Sequence, residues 1–451
     1  AVLALSGSLS APEFKVDAAA AGMQFLAQGL AAPFAKVRLT RLMLAGQGID
    51  PRQFSVDAPQ ADLAFSGVFE GKLEGKLEGN PDAAQAGERL LGTFSLSNRL
   101  SGRFDQQRLP LANLTGAVLG DSASAEFSSL MLDLGAGGLL NGDGYWRDGK
   151  VTLNLLGPQL NLAGLHSALN PTRIEANLQF VGDAARQQLG GKFSESWGAG
   201  HFSASHDAAA LHLEALEFSG QAGRLSAKGN LQLDAQRAFS AAFDAAQINP
   251  ARIGKFPVAR LNARGKVSGA LLPTLRLSGD FTLPSGALEG RPVNGRGRFS
   301  YANQHLDHAD IDLDLAGNLL RLQGAYGKLG DRLSWVVKAP ALARLNLGFA
   351  GVLNSSGTFS GNPAQPQIEA QLSASNLRLP GGVSASSLNL KLNLQASDSG
   401  AFNGELDGRG IELAGQHLSP PLTQLQARAQ GRRDAHNLTL NATLPEARLS
   451  A

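Results

Sequence analysis

The stretch Ser387-Leu388-Asn389-Leu390-Lys391-Leu392-Asn393-Leu394-Gln395 sets a leucine at every second position and a polar residue between each pair. Side chains alternate between the two faces of a β-strand, so one face here is a bare aliphatic row and the other is wet. Period-2 alternation recurs nearly everywhere along the chain, and helical periodicity almost nowhere. Ile311, Leu313 and Leu315 alternate with Asp310, Asp312 and Asp314; Leu438, Leu440, Ala442 and Leu444 alternate with Asn437, Thr439, Asn441 and Thr443. Val151, Leu153 and Leu155 follow Asp148-Gly149, a dipeptide suited to a tight hairpin turn after Tyr145-Trp146. In FEGKLEGKLEG the charges Glu70, Lys72, Glu74, Lys76 and Glu78 share one face, and Phe69, Gly71, Leu73, Gly75 and Leu77 the other.

Turn residues arrive roughly every 8–12 positions, the spacing of an all-β chain. Ala18–Ala21, Pro81–Gly87 and Gly182–Gly190 are the stretches where a helical turn or loop is expected instead. With half to two-thirds of the chain in strands of roughly 6–8 residues, about 30–40 strands are expected. That is too many for one closed barrel filled by side chains. Laid side by side at ~4.8 Å they make a sheet on the order of 150–190 Å long.

Internal repeats carry the organisation. VSGALLPTLRLSGDF from Val267 parallels FSGNPAQPQIEAQLSA from Phe359, with Gly269 and Gly361 92 residues apart (361 − 269). LSGSLSAPEFKVDA repeats the phrase near the start, with Gly7 and Pro12. A second phrase, strand-Gly-hairpin-strand-connector, begins near Leu225, Leu320 and, more weakly, Leu139. No Pro/Ser-rich or charged linker separates the copies, which favours one elongated repetitive β domain over residues 1–451. Its diverged units run roughly 1–110, 111–210, 211–300, 301–400 and 401–451.

Composition narrows function mainly by exclusion. Forty basic and 38 acidic residues leave a net charge of +2, without the electrostatic footprint of a nucleic-acid binder. The absence of cysteine excludes thiol catalysis, disulfides and Cys-based zinc sites. No run of 18 apolar residues offers a spanning helix, and no signal peptide is visible. A start at Ala1 rather than Met reads as a fragment of a longer, membrane-anchored chain.

His305 and His308 near Asp310, Asp312 and Asp314 suggest a metal site, but carboxylates on alternate strand residues lie ~6.6 Å apart with no loop to wrap an ion. An acidic, wet strand face is expected there. His201, His206 and His212 read as surface residues, and Asn141–Gly144, NGDG, as a plain hairpin turn rather than a calcium loop. The Gly-Lys pairs after Val68 lack the spacing of a phosphate loop, and no G-x-S-x-G or H-E-x-x-H occurs. Nothing assembles nucleophile, base and orienter, so no enzyme activity and no cofactor are expected.

LNLGFAGVLNSSGTFSGNPAQPQIEAQLSASNLRLPG (Leu345–Gly381) resembles the TamB family, the inner-membrane component of the translocation and assembly module, within the wider AsmA-like group. Ile248–Leu283 and Gln323–Gly327 are similar again. The resemblance implies a long, curled, antiparallel-rich sheet forming an open, taco-like trough with an apolar interior and few short helices. It implies a periplasmic protein of a Gram-negative bacterium, anchored in the inner membrane by a segment not seen here. It further implies phospholipid transfer towards the outer membrane, a link to outer-membrane protein assembly, and the barrel assembly factor TamA as partner.

An uncovered aliphatic row longer than a few strands is an aggregation liability unless it is a binding surface. Lipid tails supply such a cover: about 0.8 kcal/mol per methylene, or about 12 kcal/mol at most for a 16-carbon chain. On this reading Leu388, Leu390, Leu392 and Leu394 touch acyl chains. So do Ile311, Leu313, Leu315, Leu438, Leu440, Val151, Leu153, Leu155, Leu231, Leu233, Phe69, Leu73 and Leu77. Two other covers stay open. The leucines of a structural β-repeat or adhesin would face protein, and a chaperone-like scaffold would use its sheet edges to add strands of outer-membrane proteins.

Overall fold

The structure, a computed structural model, describes residues 1–54, 58–73, 88–395, 400–412, 422–432, 434–445 and 447–450. The chain divides into two compact units: Ala1–Ala222 with Ala251–Phe256, and Gly223–Pro250 with Pro257–Ala451. In the first, the strands are β1 (Val2–Ser8), β2 (Ala11–Ala20), β3 (Met23–Ala31), β4 (Leu39–Ile49) and β5 (Leu63–Leu73). They continue as β6 (Glu88–Asn98), β7 (Asn113–Gly120), β8 (Ser124–Asp133), β9 (Leu139–Arg147) and β10 (Lys150–Leu160). The last four are β11 (Ile174–Gly182), β12 (Arg186–Glu195), β13 (Gly198–Asp207) and β14 (Ala210–Gly220).

The second unit holds β15 (Gly223–Gln232), β16 (Ala238–Ile248), β17 (Ala259–Ala270), β18 (Arg276–Leu288) and β19 (Arg291–Ala302). Next come β20 (His305–Leu315), β21 (Asn318–Tyr326), β22 (Arg332–Ala339), β23 (Ala350–Asn362) and β24 (Gln365–Arg378). It ends with β25 (Ser384–Gln395), β26 (Phe402–Glu412), β27 (Leu422–Gly431), β28 (His436–Thr443) and β29 (Arg448–Ser450).

Within each unit every strand pairs antiparallel with the next in sequence, from β1 to β14 and from β15 to β29. The fold is therefore all-β, as the alternation requires. The described residues hold 29 strands rather than 30–40, because many run 11 to 14 residues, not 6–8. One short helix, α1 (Leu162–Leu165), and five 3₁₀ turns are the helical content among these residues.

Two of the three Ser-Gly phrases mark equivalent hairpins, Gly7 opposing Pro12 across β1–β2 and Gly361 opposing Pro366 across β23–β24, both glycines at positive φ; the third differs, Gly269 opposing Leu277 across β17–β18. Asp148 and Gly149 both take positive φ and close β9 onto β10 as their sequence demands. Ala18–Ala20, however, continue β2, and the turn is only Ala21-Gly22. Residues 183–185 are all that separates β11 from β12. Pro81–Gly87 lies outside the described residues.

The hairpin expected at Asn141–Gly144 is not there. These residues lie mid-strand in β9, where Gly142 and Gly144 oppose Leu155 and Leu153 and make room for their side chains. Asp143 accepts a hydrogen bond from Asn154 Nδ2 at 3.3 Å on the other face.

Alternating connections leave opposite edges of a sheet meander. In both units the odd-to-even links are mostly tight turns, and all the helical segments sit on even-to-odd links. Four of the odd-to-even links are built on an aspartate, Asp234 among them. Asp121, Asp183 and Asp207 each accept two backbone N–H groups from the residues two and three ahead, at 2.8–2.9 Å. Those N–H dipoles hold all three carboxyls below the usual aspartate range. A depressed folded-state value contributes stability above the unfolded aspartate pKa of about 3.9 and loses it as pH falls through the folded value. Urea midpoints measured between pH 6 and 2 should therefore fall at the acid end. Asp183→Asn/Asp207→Asn keeps the acceptor oxygens without the charge and should flatten that fall; an unchanged acid slope would remove these turns from the account.

A candidate lipid-binding face

The strand register lines apolar residues into rows that run across the strands. One row of the second unit passes from Ala227 and Phe243 through Gly265, Phe281, Gly297 and Ile311 to Leu322 and Trp335. It continues through Gly357, Ala370, Leu392, Gly404 and Ala429 to Leu438. All fourteen strands from β15 to β28 contribute one residue, over about 60 Å at the usual strand spacing. A neighbouring row runs from Leu283 to Leu440 by way of Leu313, Leu320, Leu372 and Leu390.

The first unit repeats the arrangement. Its row starts at Leu5 and Phe14 and crosses Gly29, Leu42, Phe69, Gly92 and Val118. Phe127, Gly144, Leu153, Phe180, Leu189, Ala204 and Leu213 complete it on β8 to β14.

Glycine and alanine are interspersed among the large side chains of these rows, and in several places a large one lies over a small one. A Cβ on Gly297 would stand 2.5 Å from Phe281 Cε1 and 3.1 Å from Ile311 Cγ1. Phe25 and Phe65, both opposite Gly46, bring their rings to 6.3 Å across it. Trp335 lies against Gly357, and its ring centroid is 4.6 Å from that of Phe359. The 54 glycines of the chain thus include a set that seats aromatic rings flat on the sheet, a cross-strand complementarity.

Within each unit, no second layer among the described residues covers these rows. Among the described residues no large side chain is fully buried, and the row residues are mostly half-buried. The chain's accessible surface is 26901 Å², whereas two compact globules of its combined mass expose roughly 20,000 Å². Among the described residues, local cover occurs beside several of the links between strands. The 3₁₀ turn Leu342–Leu345 packs Leu342 on Ala339, Ala374 and Leu377, and α1 sets Leu165 against Gly137.

Leu388, Leu390, Leu392 and Leu394 all lie half-buried on one face of β25, and Asn389, Lys391 and Asn393 are exposed on the other. Ile311, Leu313 and Leu315 are half-buried on β20, as are Val151 and Leu153 on β10, where Leu155 is buried. Leu231 is half-buried near the end of β15, and Leu233 lies just past it. Phe69 is half-buried, while Leu73 at the end of β5 is exposed. Leu438 and Leu440 are also exposed, at 62% and 38%, because the short β29 leaves most of β28 without a neighbour. Leu77, with the second half of FEGKLEGKLEG, lies outside the described residues.

The opposite face is a charge ladder. Arg296 and Arg321 flank Asp312 from the two adjacent strands, with Arg321 Nε 2.6 Å from Oδ1 and Arg296 Nη2 3.4 Å from Oδ2. The Arg321 guanidinium holds the Asp312 carboxyl below its usual range. Lys266, Asp280, Arg298 and Asp310 alternate sign in the adjoining row. Such exposed pairs add little stability each, but they mark the solvated side and disfavour a slipped register.

His305 departs from the wet acidic face expected for it. It is buried, with Nε2 2.7 Å from Asp331 Oδ2 and Nδ1 2.5 Å from Asp307 Oδ1. The turn between β21 and β22 folds beside the start of β20, and Lys328 N–H also donates to Asp331. No group of acidic and histidine residues among those described is arranged to hold a metal. His201 and His206 are exposed and His212 half-exposed.

No helix among the described residues is long and apolar enough to cross a membrane. A comparison with curated proteins finds no match. The family model of the TamB N-terminal domain matches residues 198–449, more than half of the chain. That family works in the Gram-negative envelope, in outer-membrane assembly or lipid transport. With its meander of antiparallel strands and that match, the chain belongs to the TamB family.

Proposed function

We propose that the apolar rows carry phospholipid acyl chains between the inner and outer membranes, as a periplasmic bridge without enzymatic activity. The observation that supports this is a row fourteen strands long, half-buried under no second layer among the described residues, with charged residues on the other face. A structural core would bury such a row under a second layer. A 16-carbon tail spans about 20 Å, so a row of about 60 Å offers several overlapping seats. Leu, Phe, Val and Ala lining without an anchoring charge gives adjacent seats similar affinity, and a tail passes between them without a deep trap. The family's partner TamA is the proposed receiving side, and headgroups stay in water at the rim.

A photo-crosslinking amino acid placed singly at residues 388 to 395 tests the parity. Lipid adducts are expected at Leu388, Leu390, Leu392 and Leu394 and few at Asn389, Lys391 or Asn393. Equal labelling of both faces, or none on the leucines, rejects the proposal.

A further inference from the structure

Several even-to-odd links of the first unit are tied to each other as well as to the strands. Leu109 N–H donates to Gln60 O, joining the link after β4 to that after β6. Ser167 Oγ donates to Asp105 Oδ2 at 2.7 Å, joining the link after β6 to that after β10. Lys255 N–H donates to Ala168 O, and Asn170 N–H to Ile253 O, adding the segment Ala251–Phe256 of the same unit. The result is a continuous rail of non-strand backbone along one edge.

Its side chains are unusual for a soluble surface. Arg103 and Arg108, whose backbones are hydrogen-bonded to each other, stand with Arg252 and Lys255, and none of the four is in an ion pair among the described residues. Among the described carboxylates of the rail, Asp50 pairs with Arg52 and Asp62 with Arg99, while Asp105 accepts from Ser167 N–H and its hydroxyl and keeps its charge, so the four cations outnumber it by three. Among these cations Phe104 and Phe256 expose 54% and 56% of their surface. Cations with interspersed exposed aromatic rings are the chemistry of the bilayer interface, where the ring enters the acyl boundary and the charge meets phosphate.

We infer that this rail docks the first unit onto the surface of an anionic phospholipid bilayer. An acidic protein would satisfy the four charges but leave the two phenylalanines wet, which favours the membrane. A Lys or Arg near an anionic surface strengthens partitioning about fivefold, and salt screens the effect.

Vesicle flotation of the whole chain tests it, with phosphatidylcholine vesicles and with the same vesicles containing phosphatidylglycerol. The wild-type chain should float with the anionic vesicles at least about tenfold better at low salt and lose that preference at high salt. Arg103→Gln/Arg108→Gln/Arg252→Gln/Lys255→Gln should abolish the preference while keeping the wild-type far-ultraviolet dichroism and melting temperature. Phe104→Ser/Phe256→Ser should weaken binding to both vesicles and keep the preference. Equal binding to both vesicles, or a four-site variant that floats like wild type, overturns the inference. Failure to float at all also overturns it and leaves the rail to an acidic protein partner. Acyl-chain loading is scored separately by the crosslinks on β25, so loss of docking and loss of loading are distinguishable.

Discussion

Leu390→Asp/Leu392→Asp should clear lipid from the seats that cross β25. Chain purified from membranes and analysed by mass spectrometry should carry less than about one hundredth of the wild-type lipid at these seats, from about 2.5–3.5 kcal/mol for each charge set in hydrocarbon. The two residues sit in adjacent rows: Leu390 between Leu372 and Leu406, Leu392 between Ala370 and Gly404. A pair of carboxylates there interrupts both rows on one strand. Because both positions are only half-buried, the new charges keep contact with water. The melting temperature should accordingly move little.

The outer-face control is Asn389→Asp/Asn393→Asp, which adds the same charge one residue away. It should leave lipid content unchanged, since these side chains point to water. A charged inner face that still carries lipid, with the outer-face control behaving identically, would show that the leucines are not the carrier surface. A large loss of stability in the inner-face variant would instead indicate an ordinary core, the reading in which protein covers the leucines.

How much of this was legible in the sequence follows from which features are local. Alternation is a property of neighbouring residues, so the two faces of β25 can be read directly from Leu388 to Gln395. Asp148-Gly149 specifies its own turn for the same reason. Register is different, because it depends on a partner strand that local sequence does not name. Nothing near Leu392 announces that it stands beside Gly404 and Ala370, and so the rows across strands emerge only from the structure. Asn141–Gly144 misled because Asn, Asp and Gly favour turns locally, whereas Gly142 and Gly144 serve the side chains of the next strand. His305 misled likewise: its carboxylate partner Asp331 arrives from another hairpin. The rail of connectors was the least legible part, since its ties join links as far apart as Ala168 and Lys255.

Exchanging a ring and its glycine seat is the sharpest test of those rows. Gly297→Phe should destabilise the second unit by about 1–3 kcal/mol, because the added side chain meets Phe281 and Ile311 with no room between them. Phe281→Gly alone should also destabilise, by removing the ring that covers Gly297 and by adding backbone freedom in β18. Combining the two moves the ring to the neighbouring strand while keeping the volume of the pair. All three contacts that a Cβ at Gly297 would make closest are with side chains, so the clash is removable by substitution. The double variant should therefore be more stable than the sum of the single effects by about 0.5–3 kcal/mol in a urea-unfolding cycle. Additive losses would mean that Gly297 is required by its own backbone. Recovery would mean that the strand order of these rows is written in pairs of large and small residues, and that the open apolar face is held flat by its own rings.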